Sequence, residues 1–253
     1  MVKRAVSFGI NYFGTRNELR GCINDTKDIV KTLTQVFGYD PKNITVITDA
    51  KNNSVKPTRN TIIKTLQNLV SQTKAGDTLF VHYSGHGYYV RERSFDETDN
   101  KDELLCPCDG TTISDDELYD ILVKDFPKGA KLRVIFDCCH SGSALDLPIR
   151  YTDNGGIFKE NDRETKDLDC LMISGCRDDQ TSADAYIGGY KGALTWGFSK
   201  VCQNLKKSKT TTGSYSWKQL ITVVRYTLRN KRFAQVPQLS TMNPEALDGQ
   251  VDI

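Results

Sequence analysis

Apolar residues along this chain come in short continuous runs that alternate with stretches of helical period. Ala5–Tyr12, Asn43–Thr48, Asp77–Tyr83, Lys131–Phe136 and Cys170–Ser174 are such runs, short enough for strands buried on both faces. Between the first two, Ile29, Val30, Leu33, Val36 and Phe37 form one helix face; Asn24 or Asp25 is placed to cap its start and Gly38 to end it. A second helix opens at Pro57-Thr-Arg-Asn and carries Ile62, Ile63, Leu66, Leu69 and Val70. A third begins at a capping box, Ser114-Asp-Asp-Glu117, with Leu118, Ile121 and Leu122 behind it. The order through residue 140 is therefore β-α-β-α-β-α-β. It predicts an α/β fold: a mostly parallel central sheet of about six or more strands with helices on both faces. Further helices are expected near 192–204 and 216–230, and Val236–Ser240 as a last strand at an edge, where proline is tolerated. Residues 88–113 and 143–167 read as irregular polar connections, the second long enough to be functional.

Composition adds little until it is divided along the chain. Hydrophobic residues make up 38% and charged residues 26% of 253, which suits a soluble globular protein. No run approaches membrane-spanning length, and the N-terminus enters a strand without a signal peptide or lipidation motif, so a cytoplasmic protein with no membrane partner is expected. The eight cysteines are then expected as buried free thiols; Cys106-Pro-Cys108 lacks the second pair that a zinc site needs. The net charge of +2 hides a segregation: residues 96–125 hold eleven acids against Lys101 and Lys124, and residues 190–235 hold ten Lys or Arg and no acid. No aromatic-plus-basic module accompanies the basic segment, so it reads as a solvated helix face and no nucleic-acid partner is expected.

Two stretches carry chemistry. His82-Tyr-Ser-Gly-His-Gly87 follows one strand and Asp137-Cys-Cys-His-Ser-Gly142 follows another. In open parallel sheets ligands bind beyond the carboxyl ends of strands. Of the three histidines, His82 lies within its strand and His140 follows Cys139 directly, whereas His86 stands between two glycines just past the strand. Cys138 continues the strand alternation and is expected to pack against a helix. Cys139 sits at the turn and presents its thiol. A thiol beside an imidazole is a nucleophile–base pair, and the N–H groups of Gly87 and Cys139 are candidate oxyanion donors.

These motifs resemble those of the metacaspases, cysteine peptidases with a caspase-like fold. Gly21-Cys-Ile-Asn-Asp25, Ser174-Gly-Cys-Arg-Asp-Asp-Gln-Thr-Ser-Ala-Asp184 and Gly192-Ala-Leu-Thr-Trp196 extend the resemblance over nearly the whole chain. It implies His86 as the base and Cys139 as the nucleophile. It further implies cleavage after Arg or Lys, with the basic side chain held by Asp25 and Asp137 near Cys22 and Ser84. Two carboxylates in a partly dry pocket suit a guanidinium, although Asp25 read alone serves equally as a helix cap. The resemblance also implies Ca²⁺ held by Asp102, Asp115, Asp116 and Asp146, hard oxygen donors of the type that ion prefers. Asp115 and Asp116 equally favour the positive end of a helix.

The implied organisation is a region 1–142 like the caspase large subunit, a connection 143–167, and a region 168–253 like the small subunit, together one domain. No Pro- or Gln-rich leader of the kind common in type I members precedes the first strand, and the connection is too short for type II, so a type I-like form, either leaderless or with its leader trimmed away, is expected. Arg150, Lys159, Arg163 and Lys166 in the connection are candidate self-cleavage points. The resemblance favours a monomer acting on protein or peptide substrates. The alternative is a caspase-like scaffold without activity. A covalent Lys- or Arg-based inhibitor separates the two, because a scaffold leaves Cys139 unlabelled.

Overall fold

The structure, a computed structural model, describes residues 1–91, 101–138, 144–164, 167–175, 184–186, 189–207 and 215–253; for residues 90, 91, 101, 102 and 184–186 it describes the backbone alone. In chain order the elements are β1 (Lys3–Gly9), α1 (Cys22–Gln35), β2 (Ile44–Thr48), α2 (Arg59–Gln72), β3 (Thr78–Ser84), β4 (Gly87–Arg91), β5 (Lys101–Leu105), β6 (Ile113–Ser114) and α3 (Asp115–Tyr119), which runs on into a π-helical turn. They continue as β7 (Lys131–Asp137), β8 (Ile149–Tyr151), β9 (Ile157–Lys159), β10 (Asp169–Ser174), β11 (Asp184–Tyr186), β12 (Tyr190–Gly192), α4 (Ala193–Lys207), α5 (Trp217–Asn230) and β13 (Gln238–Thr241). Three helix starts are set by local chemistry. Thr58 caps α2 through the Thr61 N–H, and Ser114 and Ser216 begin α3 and α5 with complete capping boxes.

Eight strands form one sheet in the order β2-β1-β3-β7-β10-β13-β8-β9. Pairing is parallel from β2 to β10 and antiparallel from β10 to β9. The sheet is covered on both sides, and residues along each strand alternate between two cores. Val6, Phe8, Leu79, Val81, Leu132, Val134, Phe136 and Cys138 face the side of α2 and α3. Ala5, Phe80, Ile135, Leu171 and Ile173 face α1, α4 and α5. Burying each such side chain stabilises the fold by roughly 1.5–3 kcal/mol. Among the described residues no helix is long and apolar enough to cross a membrane.

Three expectations are corrected. The polar stretch 88–113 is not irregular throughout: β4, β5 and β6 form a three-stranded antiparallel side sheet. The connection 143–167 contributes β8 and β9 to the main sheet. Consequently β13 is not an edge strand but lies between β10 and β8, and β2 and β9 form the edges. Most described basic residues of the 190–235 segment are exposed, as expected of a solvated face; Arg225, which donates to the carbonyls of Tyr151, Thr152 and Pro237, and Lys191, paired with Asp28, turn inward.

Candidate active site

The carboxyl ends of β1, β3 and β7 open toward the start of α4. Asp25 lies in the first turn of α1, which packs closely on the end of β1: a methyl group on Gly9 would come within 2.6 Å of the Cys22 carbonyl oxygen. Asp25 does not cap α1, whose N-cap is Gly21 without a side-chain bond. Its carboxylate instead accepts the Ser84 hydroxyl at 2.6 Å and the Gly192 N–H at 2.9 and 3.0 Å. Asp137, the last residue of β7, accepts the Thr195 N–H at 2.8 Å. The two carboxylates thus take up backbone donors at the N-terminal end of α4, where the helix presents positive charge. Both are buried, as is Cys22 beside them. Burial first, and then the charge of Asp137, push the Asp25 carboxyl well above the usual carboxylate range; the bonds from Ser84 and Gly192 oppose the shift. A buried acid pair of this kind gains stability from an incoming cation.

Beneath the pair runs a buried polar chain. His82 Nδ1 lies 2.8 Å from Ser7 Oγ and Nε2 lies 3.1 Å from Thr195 Oγ1. Burial lowers the pKa of His82 to about 3, so the ring is neutral. His82 therefore links the sheet centre to the residue whose N–H holds Asp137.

His86 follows β3 and is half-buried. Its backbone is fixed by two tyrosines: its N–H donates to Tyr12 Oη at 2.7 Å, and its carbonyl accepts from Tyr83 Oη at 3.0 Å. The Tyr12 ring lies 4.6 Å from the imidazole, centroid to centroid. Nε2 is 2.7 Å from the main-chain carbonyl oxygen of Asn17. A carbonyl oxygen only accepts, so Nε2 carries the hydrogen and Nδ1 keeps the lone pair. The ring is thereby set as a base acting through Nδ1. Gly87 begins β4 and, with Tyr12, Asn17, His86, Tyr88 and Cys106, lines a cleft of about 540 Å³. Cys138 is wholly buried in the core on the α2 face, as strand alternation predicts. The candidate nucleophile and oxyanion donor Cys139 lies outside the described residues.

A second acidic group lies at the start of α3. Asp115 is buried and accepts the N–H groups of Glu103 and Asp116. Asp146, also buried, has φ +45°. Burial first, then the charge of Asp115, raise its pKa to about 7 against the opposing charge of Arg163. One nitrogen of Arg163, Nη2, lies 2.7 Å from both Asp116 Oδ1 and Asp146 Oδ2. The structure thus brings Asp115, Asp116 and Asp146 together; Asp102 is on β5, and its side chain lies outside the described atoms. Among the described residues no three such groups converge closely enough to hold a metal ion. The donor set, all carboxylate oxygen, nevertheless fits a hard cation, and a guanidinium already occupies it as a stand-in.

The candidate self-cleavage residues separate by environment. Arg150 lies in β8 and pairs with Glu160 at 2.5 Å. Lys159 ends β9. Arg163 lies beyond β9 in no regular element, and Lys166 lies outside the described residues. Reading the sequence did not reveal Asn17, Tyr12, Gly192, Thr195 or Arg163 as parts of these sites. Asn17 acts through a carbonyl that any residue carries. The Gly192–Thr195 segment alone offered a signal, as one of the motif-like stretches.

The profile of the metacaspase, peptidase C14 domain family matches residues 3–148. Metacaspase-1 of Meyerozyma guilliermondii is 34% identical over 97% of this chain and 71% of its own length. Metacaspase-1 of Schizosaccharomyces pombe is 34% identical over 96% and 68%. Among solved structures, caspase-1 from Spodoptera frugiperda superposes with a TM-score of 0.61 at 17% identity, covering 95% of this chain and 86% of that one. A Geobacter sulfurreducens protein superposes with a TM-score of 0.69 at 24% identity, covering 99% and 98%. These two likenesses concern the fold alone.

Proposed function

The chain belongs to the metacaspase family of C14 cysteine peptidases, with a caspase-like fold, and on that premise we propose that it is an endopeptidase that cuts after Arg or Lys. One observation carries the specificity: Asp25 and Asp137 converge on Gly192 beside the strand ends that bear His86 and Cys139. A guanidinium or ammonium entering there meets two carboxylates in a site of low polarity, where the attraction is strong. Cys139 is the nucleophile. His86, held through Nε2 by Asn17, takes the thiol proton at Nδ1 and returns it to the leaving amine; water then hydrolyses the thioester. The Gly87 and Cys139 N–H groups are the donors for the developing oxyanion.

The reading includes calcium as the activating ion, with Asp102, Asp115, Asp116 and Asp146 as the residues that hold it. Its support is a cation of the chain itself, Arg163, held between two of these, Asp116 and Asp146, with the charge of Asp115 acting on Asp146. Bound calcium supplies fixed positive charge that orders neighbouring loops. It also includes a monomer, since β8 covers the flank of β13, and self-cleavage in the 143–167 connection.

The test is cleavage of an Arg-ended reporter peptide. Cys139→Ala abolishes it, while Cys138→Ala leaves at least about half of kcat and loses a modest amount of stability from the core. Equal loss in both variants sinks the assignment of the nucleophile. Replacing Arg by Glu in the reporter removes cleavage, and full activity in a strong chelator rules out the calcium reading.

A further inference from the structure

One level of the sheet, at the carboxyl ends of β3, β7 and β10, is filled unevenly. Ser84 stands opposite Asp137 in register, and because Ser174 stands opposite Phe136, the next position, Gly175, comes beside Asp137. Phe80, Ile135 and Ile173 face α1 and α4, and strand alternation turns Ser84, Asp137 and Gly175 to the same face. There Ser84 supplies a hydroxyl and Asp137 a carboxylate, while Gly175 supplies no side chain. Gln235, from the segment between α5 and β13, fills that space instead. A methyl group on Gly175 would lie 2.8 Å from Gln235 Nε2, 3.2 Å from the Cys138 carbonyl oxygen and 3.4 Å from Asp137 Oδ1. The amide of Gln235 thus follows the acid pair as the next polar group in the row.

Gln235 is 5% exposed, yet among the described residues neither its Nε2 nor its Oε1 has a hydrogen-bond partner. Buried polar groups are costly to leave unpaired, and folded proteins hold few of them. An unpaired amide beside two carboxylates is accounted for by a ligand that pairs it. The group carries both an acceptor oxygen and an NH₂ donor, so it can accept from a cation while donating to a carboxylate. A guanidinium spreads five N–H donors over a planar fork, enough for two carboxylates and a third acceptor at the side. An ammonium gathers three donors on one atom, which the two carboxylates take between them.

We propose that Gln235 is a specificity residue of the basic pocket: its amide oxygen accepts a guanidinium N–H left over by Asp25 and Asp137, so that the site selects Arg over Lys. The proposal rests on the acid-pair reading above and narrows it. The amide is paired only when arginine enters, and a lysine leaves it as unpaired as before. A site with a buried polar group of this kind discriminates against the side chain that cannot satisfy it.

The test uses the full chain and two reporter peptides that differ only in Arg or Lys at the cleaved position. Wild type should prefer Arg by at least about tenfold, the worth of one hydrogen bond to a charged group. Gln235→Met keeps the length of the side chain and removes the amide. It should lower the Arg:Lys ratio of kcat/KM about tenfold, with the loss on the Arg side. Because no bond within the protein is lost, the urea midpoint should stay or rise. Gln235→Glu keeps an acceptor oxygen at the same reach and should hold the ratio within about threefold of wild type. Equal cutting of both reporters by wild type, an unchanged ratio in Gln235→Met, a lowered midpoint or failure to fold in that variant, or equal loss of the ratio in the Met and Glu variants overturns the proposal. Gln235 is then a structural amide, and cleavage after basic residues still stands. Cleavage of neither reporter by wild type removes the acid-pair reading itself, and the proposal with it.

Discussion

The Gly192 N–H rests on the carboxylate of Asp25, 2.9 and 3.0 Å from its two oxygens. The contact joins α1 to the start of α4 across 167 residues of chain, and the absence of a side chain at Gly192 permits it. A methyl group there would lie 2.7 Å from Asp137 Cγ and 2.8 Å from Asp25 Oδ2. Gly192→Ala should therefore push the acid pair apart, at a cost of about 1–3 kcal/mol of stability. It should raise KM for an Arg-ended peptide more than it lowers kcat. Steady-state kinetics with urea melts check this; an unchanged KM with normal stability contradicts it.

Tyr12 fixes the base from behind. Its hydroxyl accepts the His86 N–H and donates to the Cys106 carbonyl at 2.6 Å. Tyr12→Phe keeps the ring and removes both bonds, which should cost about 1–3 kcal/mol. Because it disturbs the orientation of the imidazole and not the acid pair, kcat should fall roughly tenfold while KM stays within about twofold. A change confined to KM would refute this positioning role.

His82 makes stability depend on acid. It is neutral when folded, with a pKa near 3, against an ordinary value of 6.5. Between those pH values the unfolded chain binds the extra proton, so stability is present above pH 6.5 and is lost as pH falls. The loss amounts to about 1.4 kcal/mol per pH unit for this one group. Urea unfolding of wild type and His82→Asn from pH 7 to 5 should show a steeper decline in the wild type. Parallel curves would show that His82 does not titrate this way.

The β8–β9 hairpin shields β13. Its pairing runs Leu239–Tyr151, Ser240–Arg150 and Thr241–Ile149, so the face of β13 away from β10 is occupied. Wild type should sediment as a monomer at all practical concentrations. Replacing residues 149–160 with a short Gly/Ser linker should expose the strand edge and raise the mass toward a dimer or beyond. A wild-type dimer contradicts the first expectation.

Legibility varied with the range of the interactions. The apolar run Ala5–Tyr12 and the capping box at Ser114 are local and could be read directly, whereas the helix read as opening at Pro57 takes its cap from Thr58. Strand period sends Cys138 into the core, where the structure has it, while Cys139 lies outside the described residues. Ile149-Arg-Tyr and Ile157-Phe-Lys were missed: three residues of mixed polarity carry no period, and they become strands because β13 offers β8 a ladder and β8 in turn offers one to β9. The role of Asp25 was legible only as a choice between cap and pocket. The structure shows that it does not cap its own helix but accepts from Ser84 at the end of β3 and Gly192 just before α4, partners that no local window contains. Arg163 read as one of several charges in a loop, since its partners Asp116 and Asp146 meet only when α3 and the connection pack together.

The strand order β7-β10-β13-β8-β9 also determines what a cut between β9 and β10 can accomplish. The upstream piece would own β7, β8 and β9, and the downstream piece β10 and β13. In the sheet, the downstream strands sit as a wedge between two strands of the upstream piece, laddered on both flanks. Such a nicked molecule would run as two bands when denatured yet travel as a single particle in solution. Cleavage in this connection would thus free loops without parting subunits, and neither fragment would hold a complete sheet without the other.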